Sequence, residues 1–92
     1  MVSERLQRKI ARDFGDDSVD AVVARLEVLN LANADLQDPE RIQAAVVLLA
    51  KGDMSKLDSS ARMAEVDWRD VLVFSGLGNL DWPTRLDAAL AD

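Results

Sequence analysis

The chain has no cysteine, no histidine and no tyrosine, and only two prolines and four glycines among its 92 residues. Without cysteine there is neither a disulfide nor a thiolate nucleophile. With histidine missing as well, most transition-metal sites are excluded, along with the usual general base at neutral pH. Cations are scarce too: eleven Lys and Arg stand against seventeen Asp and Glu, a net charge of −6 and a pI near 4.5. Phosphate backbones and anionic lipid repel such a chain unless its few cations cluster. Long apolar runs are also missing. The longest, residues 44–50, has seven residues, against the roughly 20 needed to span a bilayer. No apolar segment follows the charged start at Glu4, Arg5, Arg8 and Lys9, so no secretory signal is expected and a cytoplasmic protein is the plain reading.

What is present is an apolar fraction of 49% in a chain of one domain's length. Area scaling gives about 5,300 Å² of folded surface against about 14,600 Å² unfolded, enough burial for one modest core. No linker or low-complexity stretch divides residues 1–92, and a single helical domain is expected.

Helix punctuation recurs along the chain. From Ser3, apolar residues fall at Leu6, Ile10 and Phe14, with Gly15 placed to end the helix. Asp16, Asp17 and Ser18 offer cap acceptors before the stripe Val19, Val22, Val23, Leu26 and Leu29. Residues 30–38 form the longest loop candidate. Asp38-Pro39-Glu40 then has the order of a helix start, and the segment from 39 to about 51, apolar nearly all round, is expected to be the central helix. Asp53 caps a fourth helix bearing Leu57, Ala61 and Ala64. Asp67 caps a fifth, with Val66 and Val71 spaced for a hydrophobic staple and Gly76-Leu77 for a Schellman ending against Leu72. Trp82-Pro83 opens a last short helix. The short connections and unequal helices predict an all-α orthogonal bundle of five to six short helices rather than a regular four-helix bundle.

Chemistry-bearing motifs are sparse. Asp67 and Asp70, at i and i+3, have the spacing of an acid/base pair or half a cation site, but also that of a cap with a dipole-compensating acid. Asp16, Asp17 and Asp20 read the same way, and no EF-hand loop is present. Gly76-Leu77-Gly78 lacks the strand, the lysine and the third glycine of a phosphate loop. No catalytic residue, metal ligand or cofactor site is therefore expected, and the chain reads as a non-enzyme. The one positive stripe is Arg5, Arg8, Lys9 and Arg12, at i, i+3, i+4 and i+7 on the first helix. It has the form of a phosphate-contacting face, giving a nucleic-acid-associated regulatory domain as the alternative function. The opposing reading is that it docks on the protein's own acidic residues, such as Asp16, Asp17, Asp20 or Glu27. A helix-turn-helix over residues 57–74 is weakened because its recognition helix would carry Arg69 between two acids.

The aromatics suggest an interface. Val66-Asp67-Trp68-Arg69 is echoed by Leu80-Asp81-Trp82-Pro83, each an apolar–acid–Trp helix start that capping preference alone can produce. Trp68 and Trp82 are candidates for core anchors. Leu77, Leu80 and Trp82, around a Gly-Asn turn, would form an apolar knob for a protein partner or a second copy of the chain. The leading expectation is a non-catalytic protein–protein interaction module, self-association to a homodimer included, with no membrane contact.

Across residues 40–90, the run Glu40-Arg41-Ile42-Gln43-Ala44-Ala45-Val46, then Asp67-Trp68-Arg69-Asp70-Val71-Leu72-Val73 with Gly76-Leu77, and finally Asp81-Trp82-Pro83 with Arg85-Leu86, resembles short uncharacterised helical proteins of alanine- and arginine-rich bacterial proteomes. The resemblance implies a small all-α fold and brings no activity, cofactor or catalytic residue.

Overall fold

In the computed structural model, which describes residues 2–29, 31 and 38–91, the apolar stripes fold as six α-helices and one 3₁₀ turn. They are α1 (Glu4–Phe14), the turn Asp16–Ser18, α2 (Val19–Glu27), α3 (Pro39–Ala50), α4 (Met54–Val66), α5 (Trp68–Ser75) and α6 (Trp82–Ala89), and no strand occurs among the described residues. Most of the predicted loop at 30–38 lies outside them.

Local chemistry accounts for the helix boundaries. Ser3 Oγ accepts from Leu6 N–H, Asp38 from Glu40 N–H, Asp53 from Ser55 and Lys56 N–H, and Asp67 from Arg69 N–H, so four helices begin on a side-chain cap. Helix α5 ends as its sequence predicts: Leu77 N–H reaches Leu72 O at 2.9 Å, Gly76 N–H reaches Val73 O at 3.3 Å, and Gly76 is left-handed. Two local expectations are not met. Ser18 makes no side-chain cap, and residues 16–18 form a 3₁₀ turn feeding directly into α2. The Val66–Val71 staple does not form either, because Val66 is the last residue of α4 and points to solvent, 88% exposed, while Val71 is buried.

Helix α3 is the centre of the bundle. Residues 42–47 are all buried, and the helix packs on α4, α5 and α1. Around it, Val2, Leu6 and Ile10 of the α1 segment, Val22 and Leu26 of α2, Leu57, Ala61 and Ala64 of α4, Val71 and Leu72 of α5, and Leu86 and Leu90 close one core. The alanines allow α3 and α4 to approach closely, and Ser60, buried at that contact, donates to Val46 O and Leu57 O at 3.1 Å. At the α3–α4 corner, Lys51 and Gly52 are both left-handed, and Gly52 sits directly against the Asp13 carbonyl of α1. The Cα radius of gyration is 11.8 Å, against about 12 Å for one compact domain of this length.

Candidate functional site

The basic stripe of α1 is committed largely to the protein itself. Arg5 grips Glu40, the first-turn acid of α3, with Nε to Oε2 at 2.9 Å and Nη2 to Oε1 at 2.6 Å, and reaches Asp87 of α6 at 2.7 Å. The Ser3 hydroxyl donates to the same Glu40 carboxylate. The Arg5 hydrogen bonds, helped by Ser3, hold Glu40 below the usual carboxylate range, and the Glu40 and Asp87 bonds raise Arg5. Lys9 pairs with Asp13 at 3.0 Å, and Arg12 donates to the Ala91 carbonyl at 2.7 Å. Arg8 is exposed and also engaged. Arg5 and Lys9 thus dock on acids, and their partners are Glu40, Asp87 and Asp13 rather than those nearest the following turn.

Asp67 and Asp70 do not converge on a pocket. Asp67 caps α5 and takes both Nε and Nη2 of Arg69, at 2.9 and 2.8 Å. That side-chain pairing, with the Arg69 backbone N–H, holds its carboxyl below the ordinary aspartate value. Asp70 is exposed one residue beyond Arg69. Among the described residues, no group of three or more acidic side chains could hold a metal ion, and no helix is long and apolar enough to cross a membrane.

The three residues of the proposed knob separate. Leu77 is 1% exposed and belongs to the core, because as the residue after the Gly76 cap it folds back onto Leu72. Trp82 is half-buried, packed on the core with the Arg41 guanidinium 4.5 Å above its ring. Arg41 also donates from Nε and Nη2 to the Leu77 carbonyl, at 2.9 and 2.7 Å, so α3 holds the turn between α5 and α6 in place. Burial lowers Arg41 from its ordinary value, with Asp38 opposing. Of the three, Leu80 alone stands fully in solvent.

Besides the scattered Val28, Met54 and Val66, exposed apolar side chains lie one element earlier. Val73 and Phe74 of α5 are 69% and 67% exposed. On one flank of α5, Phe74 borders a shallow hollow of about 250 Å³ lined also by Leu49, Lys56, Ser59, Ser60 and Met63. On the other, Val73 borders a second depression of about 260 Å³ with Arg41, Trp68, Arg69, Leu72 and Gly78. A sequence signal for this surface exists: residues 71–74 are four consecutive apolar residues. At 100° per residue such a run wraps most of the helix, so a helix buried on one side must leave two of the four facing out.

Comparison with family models, curated proteins and solved structures finds no match for the chain.

Proposed function

We propose that the protein is a non-catalytic, cytoplasmic interaction module that binds a protein partner through the outward side of α5 and the turn after it, Val73, Phe74 and Leu80. One observation carries this reading. These three large apolar side chains are in water on neighbouring elements, while the total surface, 5423 Å², is what a well-packed monomer of this mass exposes, about 5,300 Å². The core therefore closes without them, and their exposure has no packing use. The sparse inventory of catalytic groups supports the non-enzymatic half of the reading, and the cysteine-free composition suits a reducing compartment. The nucleic-acid alternative draws no support from the α1 stripe, where Arg5 and Lys9 are already ion-paired.

The test is a Val73→Ser/Leu80→Ser double variant used as bait beside the wild type. Both positions are exposed, so folding stability is expected to change by no more than about 0.5 kcal/mol per site, whereas the interacting protein is lost. An identical set of co-purifying proteins on both baits would refute the reading.

A further inference from the structure

The hollow beside Phe74 has one lining charge, and that charge is unspent. Lys56 makes no side-chain hydrogen bond or ion pair among the described residues, although most cations of this acidic chain are engaged: Arg5, Lys9, Arg25, Arg62, Arg69 and Arg85 all pair with carboxylates. An acid without an ion pair among the described residues, its charge felt by the neighbouring Arg69, lies on this side of α5. Asp70 is one helical turn before Phe74, so the two share a side of α5. Asp70 is exposed, makes no ion pair among the described residues, and its neighbour Arg69 is held by Asp67.

The order of these groups along the flank matters. Lys56 lies in the first turn of α4, and Met63, two turns later, lines the same hollow. Helix α5 leaves α4 through a one-residue corner at Asp67, and Phe74, in its last turn, reaches back to Ser59 and Ser60 at the middle of α4. Asp70 therefore lies toward the Met63 end, Lys56 at the opposite end, and the exposed Phe74 ring with its hollow between them. A surface that carries a cation, a protruding ring beside a hollow, and an anion in linear order is complementary to itself under a two-fold rotation.

We propose that the occupant of this hollow is a second copy of the chain. The two copies form a two-fold dimer in which each Phe74 enters the other's hollow and each Lys56 meets the second copy's Asp70. The hollow is of a size to take one aromatic side chain, since a cavity of about 150 Å³ holds a benzene ring. The contact needed is modest: a stable dimer buries roughly 600–1,000 Å² per partner, under a fifth of the 5423 Å² surface. Phe74 supplies affinity in this arrangement. The charge pairs set register and reject the parallel alternative, which would oppose like charges.

The inference rests on reading this face as an interaction surface, and its test separates the two. Sedimentation equilibrium of the wild type from micromolar to several hundred micromolar is expected to show a monomer–dimer equilibrium. Phe74→Ser, checked for native helicity by circular dichroism, is expected to weaken association at least about ten-fold. Lys56→Glu and Asp70→Lys each place two like-charge contacts in the dimer and are expected to weaken it by a similar factor, whereas the double variant K56E/D70K recovers to within about three-fold of wild type. All three positions are exposed, so loss of fold is not a confounding outcome. A strict monomer throughout, or a dimer indifferent to Phe74→Ser, overturns the proposal, as does a charge-swapped double variant no better than either single one. Heterologous binding stands or falls separately, on the Val73→Ser/Leu80→Ser bait comparison, which leaves Phe74 in place.

Discussion

Replacing Gly52 by alanine adds one methyl group, and the structure says where that methyl would go. At φ +79° the new Cβ falls well inside contact distance of the Asp13 carbonyl oxygen and 3.2 Å from the carbonyl carbon. Both are backbone atoms of α1, which cannot swing aside as a side-chain tip can. Two costs add: a left-handed backbone for a residue with a Cβ, about 1–2 kcal/mol, and overpacking against fixed atoms, about 1–3 kcal/mol. Gly76→Ala is the control. Its backbone is also left-handed, at φ +85°, but its Cβ would meet only the tip of Arg85 at 3.7 Å, an ordinary contact, so it bears the first cost alone. Urea unfolding followed by circular dichroism reads the difference. At about 1 kcal/mol per molar urea for a domain this small, Gly52→Ala is expected to unfold roughly 1–3 M before Gly76→Ala. Against a total stability of roughly 5–14 kcal/mol, that is a large share. Midpoints of the two variants within 0.5 M of each other would show that α1 does not press on this corner.

Three further outcomes follow from the same contacts. Glu40→Gln is expected to cost about 1–2 kcal/mol at pH 7, discounted because a third of Arg5 remains in water. Because the folded carboxyl titrates below its ordinary value of 4.5, the stabilisation is complete above that value and is lost as pH falls below it. The gap between wild type and variant should therefore close from about pH 4.5 downward, and a constant gap in acid unfolding titrations would contradict the pairing. Leu77→Ala should lose about 3 kcal/mol and Leu80→Ser no more than about 0.5 in urea melts, separating a core leucine from a surface one three residues away; equal losses would place Leu77 wrongly. Gln43, buried on α3, leaves its Oε1 without a hydrogen-bond partner among the described residues. Gln43→Met, of matching length, should gain about 1 kcal/mol by removing that unsatisfied acceptor, and a thermal midpoint below wild type would argue against it.

Most of the fold could be read from short-range patterns because short-range chemistry makes it. The caps at Asp38, Asp53 and Asp67 and the ending at Gly76-Leu77 depend on residues two to five positions apart, and apolar residues nearly all round mark α3 as central. What escaped was set by distance. The acids that hold Arg5 lie 35 and 82 residues away, so no local pattern distinguishes them from the nearer Asp16, Asp17 or Glu27. Leu77 invited two readings, partner-facing knob and inward contact of a Schellman cap, and the cap geometry decides between them: the residue whose N–H bonds back to Leu72 is turned toward the core. The failed staple at Val66 has a related cause, since a corner of one residue leaves Val66 inside α4 and removes the flanking position a staple needs. The apolar surface at Val73 and Phe74 is present in the sequence as four consecutive apolar residues, but which of the four face outward depends on how α5 packs on α3 and α4, and no local pattern fixes that.

The stacking of Arg41 on Trp82 also gives the protein a built-in optical gauge. The chain has two tryptophans and no tyrosine, so its near-ultraviolet emission comes from Trp68, which opens α5, and Trp82, which opens α6. A cation 4.5 Å from one indole distinguishes their electrostatic surroundings, and that cation is anchored to the turn joining the two helices. Loosening of this turn would move the Arg41 cation off the indole and alter the Trp82 signal. A Trp68→Phe chain would then carry a single reporter on the turn between α5 and α6, beneath the surface where binding is proposed.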